Sequence, residues 1–132
     1  MKIYLGGSFS AKDRIRKESN TLKGMGHIVL SRWFDPNDFI EKAWDQDMGG
    51  RVAEAMAMGD TYAILEADVV IIDAIDKSST GGSDSELGMG IMKAQLTGRP
   101  RMIHIGPYRN IFQTLAREHY QDWEEFYDES GL

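Results

Sequence analysis

Residues Asp68 to Ile72 read DVVII, four consecutive β-branched side chains behind one aspartate. A strand with one wet face alternates apolar and polar residues; this run does not, so it reads as a strand buried on both faces, the signature of a parallel sheet. Asp68 then marks the strand's boundary. Three further short apolar runs, Lys2 to Leu5, His27 to Leu30 and the weaker Met102 to Ile105, have similar character. Between them lie helical patterns at residues 11–23, 47–66 and 85–96, the last with Leu87, Ile91 and Leu96 on one face. Alternating strands and helices of this length predict right-handed crossovers and an α/β fold: a doubly wound parallel sheet of four to five strands flanked by helices, of the flavodoxin-like kind.

The chain has 132 residues, enough for one domain spanning 1–132. A formal net charge of −6 and no basic stripe argue against polymeric nucleic acid as a partner, while leaving a single nucleotide open. With no cysteine, disulfides, thiolate metal sites and a cysteine nucleophile are excluded. No stretch approaches the ~20 apolar residues of a membrane span, and the amino end lacks a signal-like apolar run. A soluble cytoplasmic protein is therefore expected. The aromatic, acidic segment 108–132 is expected to be helical and to pack against the domain or a neighbouring subunit.

In a doubly wound sheet, ligands bind beyond the carboxyl ends of the strands, where the strand order reverses. The loops there are Gly6 to Lys12, Ser31 to Asp38, Asp73 to Ser85 and Gly106 to Asn110. The third contains SSTGGSDSELG (78–88), in which Glu86 stands near a helix start. A carboxylate in a helix's first turn is stabilised in its ionised form by the unpaired amides there. Plain capping is an equal reading, because Ser83 and Glu86 have the S-x-x-E spacing of a capping box. Capping leaves Gly81 and Gly82 unexplained; they suit close approach of a ligand to the backbone. Asp60, late in a long helix, is poorly placed for helix stability and is either a solvated residue or a functional one.

Tyr4 lies within the first strand, and Gly6, Gly7 and Ser8 form the turn after it, where amides can cradle an anion. After the second strand, Arg32 and Trp33 stand beside the same loops; Trp33 suits either base stacking or the core. The three histidines, His27, His104 and His119, lack metal-ligand spacing, so no metal is expected. No G-x-S-x-G elbow is present to support a serine hydrolase.

Taken in order, MKIYLGGSF (1–9), the aspartate of GDTYAILEADVVII (59–72), GGSDSELGMG (81–90) and TGRP (97–100) resemble the nucleoside 2-deoxyribosyltransferase family, including its relatives that hydrolyse deoxynucleoside 5′-monophosphates. The similarity covers roughly residues 1–106. Asp60 precedes Asp68 by eight residues, and Glu86 follows it by eighteen. The resemblance implies an enzyme acting on the N-glycosidic bond of a deoxynucleoside or deoxynucleotide, with Glu86 as nucleophile, Tyr4 orienting it and Asp60 exchanging a proton with the base. It calls for no cofactor and for a homo-oligomer in which neighbouring chains complete the pocket, here through Asn110 and its surroundings. Gly6, Gly7, Ser8, Arg32, Trp33, Thr80, Gly82, Asp84 and Asn110 are the candidate substrate-binding residues.

The chain departs from the family at Thr80, six residues before Glu86, where the transferases place an aspartate and the monophosphate hydrolases a serine. A hydroxyl there suits a phosphate, whereas Asp84 returns a negative charge to the loop. The hydrolases' arginine after the first loop is replaced by Ser10, with Lys12 or Arg14 as substitutes. Two readings of other kinds stand beside the enzyme: a non-catalytic nucleotide-binding module, and a flavodoxin-like flavin protein, which would be coloured.

Overall fold

The computed structural model describes residues 1–35, 50–77 and 81–132. Strands β1 (Lys2–Gly7), β2 (Ile28–Val29), β3 (Val69–Asp73), β4 (Arg101–Ile105) and β5 (Glu118–Tyr120) form one sheet in the order β2-β1-β3-β4-β5. Every pairing is parallel, with Tyr4 opposite Val70 and Ile72 opposite His104. The flavodoxin-like doubly wound fold read from the sequence is therefore present. All five residues of β3 are buried, as an unalternating apolar run requires in the middle of a covered sheet.

Helices α1 (Lys12–Gly24) and α4 (Trp123–Glu129) cover one face, packing Ile15, Leu22, Trp123 and Phe126 against Ile3, Leu5, Ile71 and Ile103. Helices α2 (Arg51–Glu66) and α3 (Gly82–Thr97) cover the other, packing Ile64, Leu87 and Ile91 against Tyr4, Val70, Ile72 and Met102. The aromatic tail thus has the packing role expected of it. Segment 108–132 also supplies more than helix: a 3₁₀ turn at Ile111–Leu115 precedes the edge strand β5. Of the expected helix at 47–66, residues 47–49 lie outside the described residues, as do 36–38 of the second loop.

β2 is shorter than the run 27–30 because its ladder is taken over by a side chain. Leu30 N still donates to Ile3 O at 2.8 Å, but Leu5 N donates to the Ser31 hydroxyl at 2.6 Å. The strand order reverses between β1 and β3, whose carboxyl ends, Gly6–Gly7 and Ile72–Asp73, lie side by side.

The carboxyl end of β3 is fixed on the α1 and α4 face by a buried carboxylate. Asp73 Oδ2 accepts from Arg14 Nε at 2.9 Å and from Trp123 Nε1 at 2.8 Å, and Oδ1 accepts from Arg14 Nη2 at 2.9 Å and Ile75 N at 3.1 Å. Arg14 also reaches Asp76 at 3.0 Å. Each lone pair of Asp73 facing the protein has a donor, which a buried charge needs.

Candidate functional site

A cavity of about 270 Å³ opens above the β1/β3 junction, between the loops after these strands and the facing sides of α2 and α3. Phe9, Trp33, Met56 and Met89 give it apolar walls. Gly7, Ser8, Gly82, Ser83 and Ser85 give it a polar rim, and Asp60 and Glu86 enter it as carboxylates. This is the position that the switch-point rule assigns to ligands.

Three elements bring the acid groups together. Tyr4 projects from β1 onto the α2/α3 face, fully buried. Asp60 comes from the middle of α2 and Glu86 from the second turn of α3. Gly6 makes room for the glutamate: a β-carbon there would lie 2.7 Å from Ile72 Cδ1 and closer still to Glu86 Oε2. The carboxylate therefore lies directly against the end of β1, where only glycine fits.

Tyr4 Oη and Glu86 Oε2 are buried without a hydrogen-bond partner among the described residues. Buried polar atoms are rarely left so, and the Glu86 oxygen belongs to a residue that lines the cavity, where a ligand can satisfy it. Burial pushes the Tyr4 phenol well above its ordinary value, and the charges of Glu86 and then Asp60 push it further, so it stays protonated as a donor. Burial likewise raises Asp60 to about 6, against a smaller lowering influence of Tyr4. Glu86 is raised to about 8, first by burial; Tyr4 opposes this and the charge of Asp60 adds to it.

These values correct the expectation of an ionised glutamate in a helix's first turn. The amino cap of α3 is Gly81, in the left-handed region at φ 75°, with no side-chain cap bond, so neither Ser83 nor Asp84 caps and no capping box forms. The helix begins early enough to put Glu86 in its second turn, beyond most of the unpaired amides, where burial outweighs the helix dipole. Asp84 is the acid in the first turn.

Of the other expected substrate contacts, Gly7, Ser8, Trp33 and Gly82 line the cavity, and Gly6 shapes it from beneath. Trp33 serves both of its expected roles, since its indole N–H donates to Leu5 O at 2.8 Å while its ring walls the cavity. Arg32 is exposed and does not line it. Asp84 and Asn110 also stand outside the lining: Asn110 Nδ2 donates to Asp84 Oδ1 at 3.4 Å, and Gln113 Nε2 donates to the same oxygen at 3.1 Å. Thr80 lies outside the described residues.

Arg14 is held by Asp73 and Asp76, so it is not free to replace the arginine missing at Ser10; Ser10 itself shares a hydrogen bond of 2.8 Å with Ser8. Lys12 lies 4.7 Å above the Phe9 ring. Sequence reasoning missed Phe9, Met56, Ser83, Ser85 and Met89 as walls. The helical spacing of Met56 and Asp60, and of Ser85 and Met89, is the signal that places each pair on one helix face. Among the described residues no group of three or more metal-ligating side chains gathers, and no helix is long and apolar enough to cross a membrane. No protein-family model matches the chain, and no curated protein or solved structure matches it either.

Proposed function

We propose that the chain cleaves the N-glycosidic bond of 2′-deoxyribonucleosides and transfers the sugar to a second base or to water. The observation that carries this reading is the entry of Asp60 and Glu86 from two helices into one aromatic-walled cavity, with the buried Tyr4 of β1 beside both carboxyls and Glu86 seated on Gly6. A non-catalytic pocket needs shape and donors, not two half-buried carboxyls, one of which raises the other's cost of ionisation.

In the first step a carboxylate oxygen of Glu86 bonds to the anomeric carbon as the C–N bond breaks. The bonding pair leaves on the base nitrogen, which takes a proton from Asp60. The resulting glycosyl ester is opened when a second base or water attacks the same carbon and returns its proton to Asp60; Glu86 is released as carboxylate. Tyr4, always protonated and beside Glu86, is the donor that turns to the Glu86 carboxylate once it ionises. The reactive arrangement, Glu86 ionised and Asp60 protonated, is the minor tautomer of the pair. Developing positive charge on the sugar favours it in the transition state.

Hydrolysis of deoxynucleoside 5′-monophosphates is the second reading. It is supported by the hydroxyls of Ser83 and Ser85 at the rim, beside the amino end of α3. A homo-oligomer is part of the proposal. Tyr62 and Leu65 on α2, Met92 and Leu96 on α3, and Ile111 and Phe112 of the 3₁₀ turn are all more than half exposed, an apolar surface suited to a second copy. A sedimentation mass of one chain at micromolar concentration would count against that part.

Purified protein incubated with deoxynucleosides and their 5′-monophosphates, with and without a competing base, tests the reading by chromatography. New nucleoside formed only with the second base supports transfer. Base released chiefly from monophosphates supports the hydrolase. Binding without turnover of any of them would overturn the enzyme reading in favour of a binding module.

A further inference from the structure

The first turn of α3 lacks a side-chain cap of its own, yet it must hold Glu86 against Gly6. Its anchor comes from the loop after β4. Gln113 is 5% exposed and uses both ends of its amide: Nε2 donates to Asp84 Oδ1 at 3.1 Å, and Oε1 accepts from Arg109 N at 2.6 Å. Asn110 adds a longer bond to the same Asp84 oxygen, and its own Oδ1 accepts from Phe112 N and Gln113 N, closing the 3₁₀ turn.

The loop is in turn tied to the end of β3. The Arg109 guanidinium donates to the carbonyls of Ala74 and Ile75. At Gly106, φ 108°, a β-carbon would stand 2.6 Å from Ile75 N and 2.7 Å from Ala74 C, so the two loops meet backbone to backbone. One continuous chain of bonds thus refers the start of α3 to the strand end beside which the site lies.

We propose that Gln113 and Asp84 are positioning residues for Glu86, a clamp that fixes the first turn of α3 to the end of β3 through the loop after β4. This rests on the proposed function for what Glu86 does, though not for where the clamp holds it.

The test replaces only the polarity of the clamp. Gln113→Glu keeps the acceptor for Arg109 N but sets a second carboxylate against Asp84. In Asp84→Asn/Gln113→Glu the asparagine amide can donate to the glutamate, restoring the bond in reverse. Q113E is expected to lower kcat by about ten- to a hundredfold with KM changed by less than about twofold, and the double variant to recover most of the loss. A readout independent of turnover is the ¹³C-detected titration of the Glu86 carboxyl. Its midpoint should fall towards the ordinary range in Q113E as the helix start loosens and water enters, and return in D84N/Q113E.

Wild-type titration of Glu86 in Q113E, or no recovery in the double variant, overturns the clamp. If the midpoint shifts and recovers while the wild-type protein turns over no nucleoside, the clamp stands and the proposed function fails. If Q113E does not fold, the double variant decides: a wild-type midpoint supports the clamp and an altered one overturns it.

Discussion

Replacing Glu86 by glutamine should stabilise the fold, and increasingly so as pH rises. Burial holds this carboxyl at about 8, against 4.5 when free. Between those values the folded chain keeps a proton that the unfolded chain has released. Wild-type stability therefore declines as pH rises through that window and levels off above it. The penalty at the alkaline end is on the order of 3–4 kcal/mol, taking about 1.4 kcal/mol for each tenfold change in proton affinity and discounting for the charge shared with Asp60.

Glutamine keeps the shape, remains neutral and escapes this loss. Urea unfolding at about pH 5, about pH 7 and about pH 9 should show wild type and E86Q nearly matched at the acid end. At the alkaline end the E86Q midpoint should lie higher by about 1–4 M, given slopes of about 1–3 kcal/mol per molar. Turnover should vanish in the same variant, so one substitution separates stability from chemistry. If E86Q follows the wild-type pH dependence, or is the less stable protein at about pH 9, Glu86 is not held protonated by burial and the electrostatic account of the site is wrong.

With Asp60 near 6 and Glu86 near 8, kcat/KM should trace a bell centred near neutrality, and Asp60→Asn should remove one limb; a flat profile in wild type would separate both groups from the reaction. Gly6→Ala should cost about 1–3 kcal/mol through overpacking against Ile72 and Glu86, and depress kcat. Gly59→Ala, on α2 with nothing within 4 Å of the added carbon, should stabilise by about 0.5–1 kcal/mol; thermal melts in which the two variants shift alike would refute the crowding at Gly6. Arg14→Met should cost about 3 kcal/mol by leaving Asp73 buried without its cation, and a melting temperature unchanged from wild type would show that Trp123 and Ile75 suffice to hold the carboxylate.

The sheet was legible because its central strands are apolar on both faces, and β3 announces this with four β-branched residues in a row. β5 was not, since an edge strand reading EHY has no apolar run to betray it. Asp60 and Glu86 could be picked out by residue type and position, and Tyr4 through the resemblance; both carboxyls line one cavity, with Tyr4 buried beside them. The state of Glu86 could not. The S-x-x-E pattern suggests a first-turn carboxylate, but the left-handed Gly81 moves the helix start, and the sign of the pKa shift depends on burial that only the tertiary fold creates. Gln113 and Arg109 belong to no motif; the bond from Gln113 to Asp84 spans 29 residues and that from Arg109 to Ile75 spans 34, so they appear only when the loops meet. Arg14 read as a substitute for the hydrolases' arginine, and its commitment to Asp73 is a tertiary fact.

Side chains alternate along β1, β3 and β4, and the alternation divides this sheet between two trades. Tyr4, Gly6 and Ile72 look towards α2 and α3, while Leu5 and Asp73 look towards α1 and α4, where the Arg14 and Trp123 staple sits. Adjacent positions on one strand are therefore under unrelated selective pressures. A mutational library over residues 3–6 and 69–73 should sort with a period of two, one parity tolerating change as far as folding allows and the other as far as the pocket allows. A laboratory lineage could then drift in stability on one face while its specificity is retuned on the other.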